Sequence, residues 1–331
     1  MKRTNRIDVV VLVDPVGGIT HDQAREVVRA VLKYNNDESR PLSRLTLTGQ
    51  ETTTTQWPDL LPFLDWARII RQGDGLRIFG NLIGMTPETA RVIAELKVRM
   101  YGEWFGPSLD EVGVQAMVNQ GTAYDEATAM LAGIKTALAT GALIGLEFQV
   151  NRQNISYVED FLRLCQELGI EGHLEMQETQ FSKPRNLAVA KMYRQSLPPK
   201  EQLRRICEIV AAQADVSPDN LVSPFFTCGS QDGACNYFYR GLFIRPNGRG
   251  GLRQTVCLSE LTVIDDNFKP SWAQIGHSLR NPVLALRNIA QEQMEGGCRT
   301  CSVWSQCLGG CRAMAYLASG SRFAPDPNCW K

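Results

Sequence analysis

No cysteine stands ahead of Cys165, and only three histidines (His21, His173 and His277) are scattered through the 331 residues. Histidines so dispersed read as ordinary side chains rather than as ligands or bases. Charge of one sign is also lacking: 35 Lys and Arg face 35 Asp and Glu, for a formal net charge of zero, so there is no electrostatic footprint for DNA or RNA. Long apolar runs are missing too. The N-terminal one covers only Val9 to Val13 and is flanked by Asp8 and Asp14, which fits neither a signal peptide nor a membrane span. No Ser/His/Asp set, P-loop or paired-carboxylate motif is present. What the chain does have is ten cysteines, eight of them from Cys228 onward. Disulfide frameworks belong to small secreted domains, so these cysteines imply a reducing, cytoplasmic setting in which thiols stay available to metal.

The densest stretch is Gly296 to Lys331, where Cys298, Cys301, Cys307, Cys311 and Cys329 follow the pattern C-x2-C-x5-C-x3-C-x17-C. A C-x2-C pair can present two sulfurs to one ion or cluster, and Gly296, Gly297, Gly309 and Gly310 let backbone amides approach those sulfurs. Upstream, Cys228, Cys235 and Cys257 bring the group to eight, with His277 the only histidine in the interval. Eight sulfurs make two sets of four. The donor set suits two iron-sulfur clusters or two all-thiolate zinc sites. Cys165 and Cys207 fall on helical patterns and read as buried structural thiols.

This cysteine run, with its trailing Cys329 and the upstream set ending at Cys257, resembles the SPASM extension of radical S-adenosylmethionine (SAM) enzymes. The segment before Cys257 carries a similar strand-turn-strand, with its turn at Pro246-Asn247-Gly248. The resemblance implies one 4Fe-4S cluster on Cys228, Cys235, Cys257 and Cys311, and a second on Cys298, Cys301, Cys307 and Cys329.

The earlier part of the chain alternates short β-branched runs with amphipathic helices. Strands are expected at 7–13, 45–48, 75–79, 98–101, 143–150 and 170–176. Helices are expected near 21–34, 58–71, 87–96, 124–140 and 157–168. Six such cycles imply a parallel sheet with right-handed crossovers, and the resemblance implies a partial (β/α)6 TIM-like barrel. His173 lies on the sixth strand and could face its interior. The expected division is a barrel over 1–195, a linker helix over 196–227 and a SPASM-type domain with two auxiliary clusters over 228–331. That last part is expected to hold a hairpin of 236–244 with 252–264, a mostly helical stretch at 271–294 and a short helix at 313–318.

Within the barrel, Gly49-Gln50-Glu51 aligns with the Gly-Gly-Glu turn that binds the amino group of SAM in the family, and Arg152 after the fifth strand could reach a carboxylate or ribose. Gly49, Glu51 and Arg152 are therefore the candidate cofactor-binding residues. The family's C-x3-C-x2-C after strand one is not found, because Val13 to Thr20 offers only DPVGGI between its ends. The expected function is a radical SAM/SPASM-like iron-sulfur protein, degenerate in SAM cleavage. It would bind a peptide, a small molecule or a partner radical SAM enzyme in a maturation or biosynthetic pathway. Trp57, Trp104 and Phe105 are expected on rim loops as anchors. Two alternatives stand beside this reading: a complete radical SAM maturase whose cysteine segment lies upstream of Met1, and a structural zinc module with two four-cysteine sites. Neither nucleic acid nor membrane is an expected partner, and no catalytic residue is singled out.

Overall fold

The computed structural model describes residues 8–12, 22–23, 26–27, 29–30, 44–48, 76–176, 195, 197–221, 225–226, 241–246, 249, 251–255, 263–269, 271, 273 and 289–331. Strands β1 (Asp8–Leu12), β2 (Arg44–Thr48), β3 (Leu76–Gly80), β4 (Arg99–Glu103), β5 (Leu143–Val150) and β6 (Glu171–Met176) lie side by side in chain order. Each pairs in parallel with the next. All six fall where the alternation of apolar runs and turn residues predicts them.

Two further parallel strands flank this set. The two-residue β7 (Phe225–Phe226) pairs with β6, and β8 (Gly241–Pro246) pairs with β1. Beyond β8 the sheet turns antiparallel through β9 (Leu252–Thr255) and β10 (Val263–Phe268). The sheet order runs from β10 at one end to β7 at the other, so among the described residues the barrel is open. The single strand expected at 252–264 is therefore two. A strand of that length would overrun the six-residue β8 and leave ladder groups unpaired.

Helices cover one face of the sheet. In α1 (Pro87–Glu95), Thr86 accepts the Thr89 amide and Pro87 opens the first turn, where its missing N–H costs nothing. Helix α2 (Glu111–Asn119) is an element that the sequence reading lacks; it precedes α3 (Tyr124–Ala139), which falls where a helix is expected. The Asp110 carboxylate starts α2 by accepting the Val112 and Gly113 amides. Helix α4 (Val158–Leu168) follows a 3-10 turn and stops at Gly169, whose φ of 66° closes the last turn. Helix α5 (Lys200–Gln213) begins directly after Pro198-Pro199. Residues 22, 23, 26, 27, 29 and 30 are helical, in agreement with the helix expected at 21–34. The helix expected at 58–71 lies outside the described residues; of the helical stretch expected at 271–294, residues 271, 273 and 289–294 are described, with 273 helical and Gln291–Gln293 a 3-10 turn.

Ile78, Met100, Leu146, Phe148 and Leu174 point at the helices and are buried, and Phe148 packs on Phe161 of α4 with ring centroids 4.9 Å apart. Each such side chain contributes about 1.5–3 kcal/mol on leaving water. Gly102 sits among them because a Cβ there would meet Leu82 at 3.0 Å and Ile134 and Leu146 at 3.2 Å. Its bare backbone lets α3 close onto β4.

Candidate functional site

Side chains alternate along a strand, so β4, β5 and β6 carry a second set on the face turned away from the helices. Strands covered on both faces by protein are normally apolar throughout. Here the second set is polar: Arg99, Tyr101 and Glu103 on β4, Glu147 and Gln149 on β5, and Glu171, His173 and Glu175 on β6. Such alternation marks a lined interior.

One layer of this interior centres on Glu171. Tyr101 donates its hydroxyl to Glu171 Oε2 at 2.8 Å, Arg99 forms an ion pair with Oε1, and His173 Nε2 lies 3.2 Å from Oε2. Tyr101 crosses β5 to make its bond. It can do so because the residue between is Gly145, where a Cβ would lie 2.5 Å from the Glu171 carbonyl oxygen and 2.9 Å from the Tyr101 ring. That ring is stacked on Phe79 at 4.8 Å and tilted against His173 at 4.7 Å. The His173 hydrogen bond, then those of Tyr101 and the Arg99 charge, hold the Glu171 carboxyl down at about 2 against the opposing effect of burial. His173 is buried and faces the interior, as its strand position predicts.

Nearer the C-terminal ends of the strands stands a carboxyl group of opposite character. Glu103 and Glu147 are register partners on adjacent strands, and Glu147 hydrogen-bonds Glu175. Loss of water, then the Glu175 charge, pushes Glu103 up to about 8; burial and the same neighbour raise Glu147 well above the carboxylate range. Glu103, at about 8, holds its proton at neutral pH. It can donate a hydrogen bond or a proton at the strand ends, the rim at which parallel barrels bind ligands. No short motif announces them; the signal available in the sequence was the polar alternation in MYGE, LEFQV and EGHLEM.

The other candidate residues are placed as follows. Gly49, Glu51, Trp57, Cys228, Cys235 and Cys257 lie outside the described residues. Arg152 is exposed and donates Nε to the Leu197 carbonyl at 3.0 Å, tying the end of β5 to the start of α5. Trp104 is not a rim anchor. It is fully buried, with its indole N–H donated to the Ser108 carbonyl at 3.1 Å, because the chain folds back at Gly113 against its ring. Phe105 is half-buried, edge-on to Phe148 at 6.4 Å.

The cysteine loop is built from a 3-10 turn (Gly296–Thr300), the one-turn helix α6 (Trp304–Cys307) and α7 (Arg312–Ser319). Leu308, Gly309 and Gly310 all take positive φ, of 53°, 87° and 73°, and reverse the chain between α6 and α7. The Gln291 side-chain amide donates to the Cys298 and Cys301 carbonyls at 3.2 and 3.0 Å, pinning the C-x2-C turn. Cys298 and Cys311 are buried; Cys301, Cys307 and Cys329 are half-buried.

Four of these thiols lie within electrostatic reach of one another. Burial first, and then Cys329 and Cys301, raise Cys298; burial, Asp326, Cys329 and Cys298 push Cys307 up to about 12; burial raises Cys329, with Asp326 and Cys301 adding to it. Two of the sulfurs accept backbone hydrogen bonds, Cys307 from Gly309 and Cys329 from Lys331, which favour the thiolate. The Cys311 amide donates to Asp326 Oδ2 at 2.5 Å. The donor chemistry suits a soft metal or an iron-sulfur cluster, whose binding would displace the protons that burial retains. Among the described residues no three His, Cys, Asp or Glu side chains are gathered tightly enough to close on a single ion. Nor, among them, is any helix long and apolar enough to cross a membrane.

No family model matches the chain. It is 23% identical over 350 residues to pre-heme d1 synthase of Dinoroseobacter shibae, an alignment that covers 96% of this chain and 80% of the relative. Among solved structures it is similar to native anSMEcpe with bound AdoMet and the Cp18Cys peptide, at a TM-score of 0.59 and 10% identity, over 97% of this chain and 94% of that one. A histidine-tagged anSMEcpe with bound AdoMet gives a TM-score of 0.57 at 11% identity with the same coverage. These likenesses show the fold, an α/β partial TIM barrel shared over nearly the whole chain, and they accord with the resemblance to radical SAM/SPASM proteins that its motifs carry.

Proposed function

We propose that the chain is an iron-sulfur protein of a maturation or biosynthetic pathway, with its ligand held at the acid-lined barrel mouth. In this reading Cys298, Cys301, Cys307 and Cys329 hold one 4Fe-4S cluster, and Cys228, Cys235, Cys257 and Cys311 hold another, within a SPASM-type domain over 228–331. The observation that carries it is the mutual reach of four half-buried to buried thiols, two of which accept backbone N–H bonds. A bound cluster supplies one-electron transfer or an iron that can take a ligand. The chain's own residues supply the rest: Glu103 and Glu147, whose carboxyls are raised by burial, stand with Glu175 at the rim, and Arg99, Tyr101, Glu171 and His173 keep the floor beneath them rigid. The ligand class is a peptide or a small molecule, by analogy with the peptide bound in the anSMEcpe structure and with the small-molecule product in the name of pre-heme d1 synthase. A partner radical SAM enzyme is the remaining candidate occupant.

Without a C-x3-C-x2-C motif ahead of Cys165, these residues do not cleave SAM reductively, although Glu51 retains the carboxylate that would meet the SAM amino group.

The test is anaerobic reconstitution. About eight iron and about eight sulfide per chain are expected for two cubane clusters. About two zinc per chain with no sulfide would overturn the proposal in favour of the zinc module. Incubation with SAM and strong reductant is expected to give no 5′-deoxyadenosine above a protein-free control. Turnover would overturn the degenerate reading.

A further inference from the structure

Arg312 opens α7 directly after Cys311, and only 3% of it is exposed. Its guanidinium is fixed on one side: Nη1 donates to the Ala324 carbonyl at 2.7 Å and the Arg322 carbonyl at 3.0 Å, and lies 3.9 Å from the Met294 sulfur. On the other side Nε and Nη2 are shut away from solvent, with no hydrogen-bond partner among the described residues. No ion pair to Arg312 is found among the described residues either. An arginine stays protonated at any working pH, and a buried cation with two idle donors and no counter-charge is strongly unfavourable. The idle side faces the cysteine loop. Nη2 would lie 2.9 Å from a Cβ built on Gly309, the residue whose amide bonds the Cys307 sulfur, and the guanidinium charge favours the thiolate of Cys298.

The geometry points to Arg312 as the internal counter-ion of the group held by Cys298, Cys301, Cys307 and Cys329, with Nε–H and Nη2–H directed at its sulfurs. This rests on the cluster reading above. Four thiolates around a 4Fe-4S core leave a net negative charge, and a fixed cation with N–H donors stabilises the reduced form, because net charge and hydrogen bonds to sulfur set a cluster's potential. Arg312 is a positioning and tuning residue on this view. Lysine would keep the charge and lose the planar fork.

The test begins with the wild-type chain, reconstituted, reduced and labelled with 15N-arginine, in pulsed EPR. A 15N hyperfine coupling to a reduced cluster is expected, and it should vanish in Arg312→Lys. In Arg312→Gln, at unchanged iron and sulfide content, the midpoint potential of one of the two clusters should move to a more negative value, with Arg312→Lys falling between that variant and wild type. A coupling that survives in Arg312→Lys, no coupling at all in a fully loaded wild type, or unchanged midpoints in loaded Arg312→Gln each overturn the inference while leaving the clusters in place. If Arg312→Gln fails to hold iron, the labelled wild-type spectrum decides. A wild type that takes up no iron or sulfide overturns the cluster reading, and this one with it.

Discussion

Glu103 and Glu171 belong to the same barrel interior and respond to pH with opposite sign. Glu103, raised to about 8 in the folded chain from an ordinary value of 4.5, keeps its proton where the unfolded chain releases it. Between those values the native state binds more protons, so this residue makes stability fall as pH rises from about 4.5 to about 8. Glu171 has its pKa lowered to about 2, so its contribution is present above 4.5 and is lost as pH falls from there toward 2. Glu103→Gln, which keeps the shape and removes the titration, is expected to be more stable than wild type at pH 8 by on the order of a few kcal/mol. At pH 5 the two should be nearly equal. Urea melts at the two pH values check this, and an equal difference at both would mean that Glu103 is not the titrating group. None of this was legible in the sequence: a carboxylate's shift depends on which strands become neighbours, and Glu103, Glu147 and Glu175 meet only through the pairing of β4, β5 and β6.

At the scale of elements, the six barrel strands could be read because short strand-like runs alternate with amphipathic helices, whereas α2, ahead of Gly121 and Thr122, went unread. Trp104 shows why a loop position cannot be assigned to a surface from sequence alone. The residues after β4 fold inward, and Gly113 approaches so closely that a Cβ there would lie 1.9 Å from the Ser108 carbonyl oxygen and 2.9 Å from the Trp104 ring. Trp104→Ala is accordingly expected to destabilise the chain by about 3–5 kcal/mol, as a core truncation does, rather than to weaken a ligand at constant stability. Chemical denaturation against ligand titration separates the two. Gly145→Val belongs to the same scale. It places a branched side chain against the Glu171 carbonyl, and should lower the melting temperature by an amount corresponding to about 1–3 kcal/mol, with loss of the Tyr101–Glu171 bond visible in the tyrosine ultraviolet spectrum.

Across the whole molecule, the cysteine spacing is the feature on which the cluster proposal rests, because a count of sulfurs can be read from sequence while their geometry cannot. The division of the eight between two sets came from resemblance. In the fold, Cys298, Cys301, Cys307 and Cys329 influence one another, and the Cys311 amide is bonded to Asp326. Cys298→Ala and Cys311→Ala should each remove roughly half of the iron, from different clusters, as measured by metal analysis with Mössbauer spectra of each variant. If both variants empty the same site, the division is wrong.

The placement of β8 beside β1 also has a consequence for synthesis. During synthesis β1 gains β2 on one flank as soon as Arg44 to Thr48 follow, but its other flank is completed only when Gly241 to Ile244 emerge. Throughout that interval β1 presents an unpaired edge, the kind of surface on which nascent chains stick to one another. A chain truncated just ahead of Gly241 would keep the barrel's six strands and still carry that open seam. It should aggregate during translation, or call on a chaperone, to a degree the full chain does not.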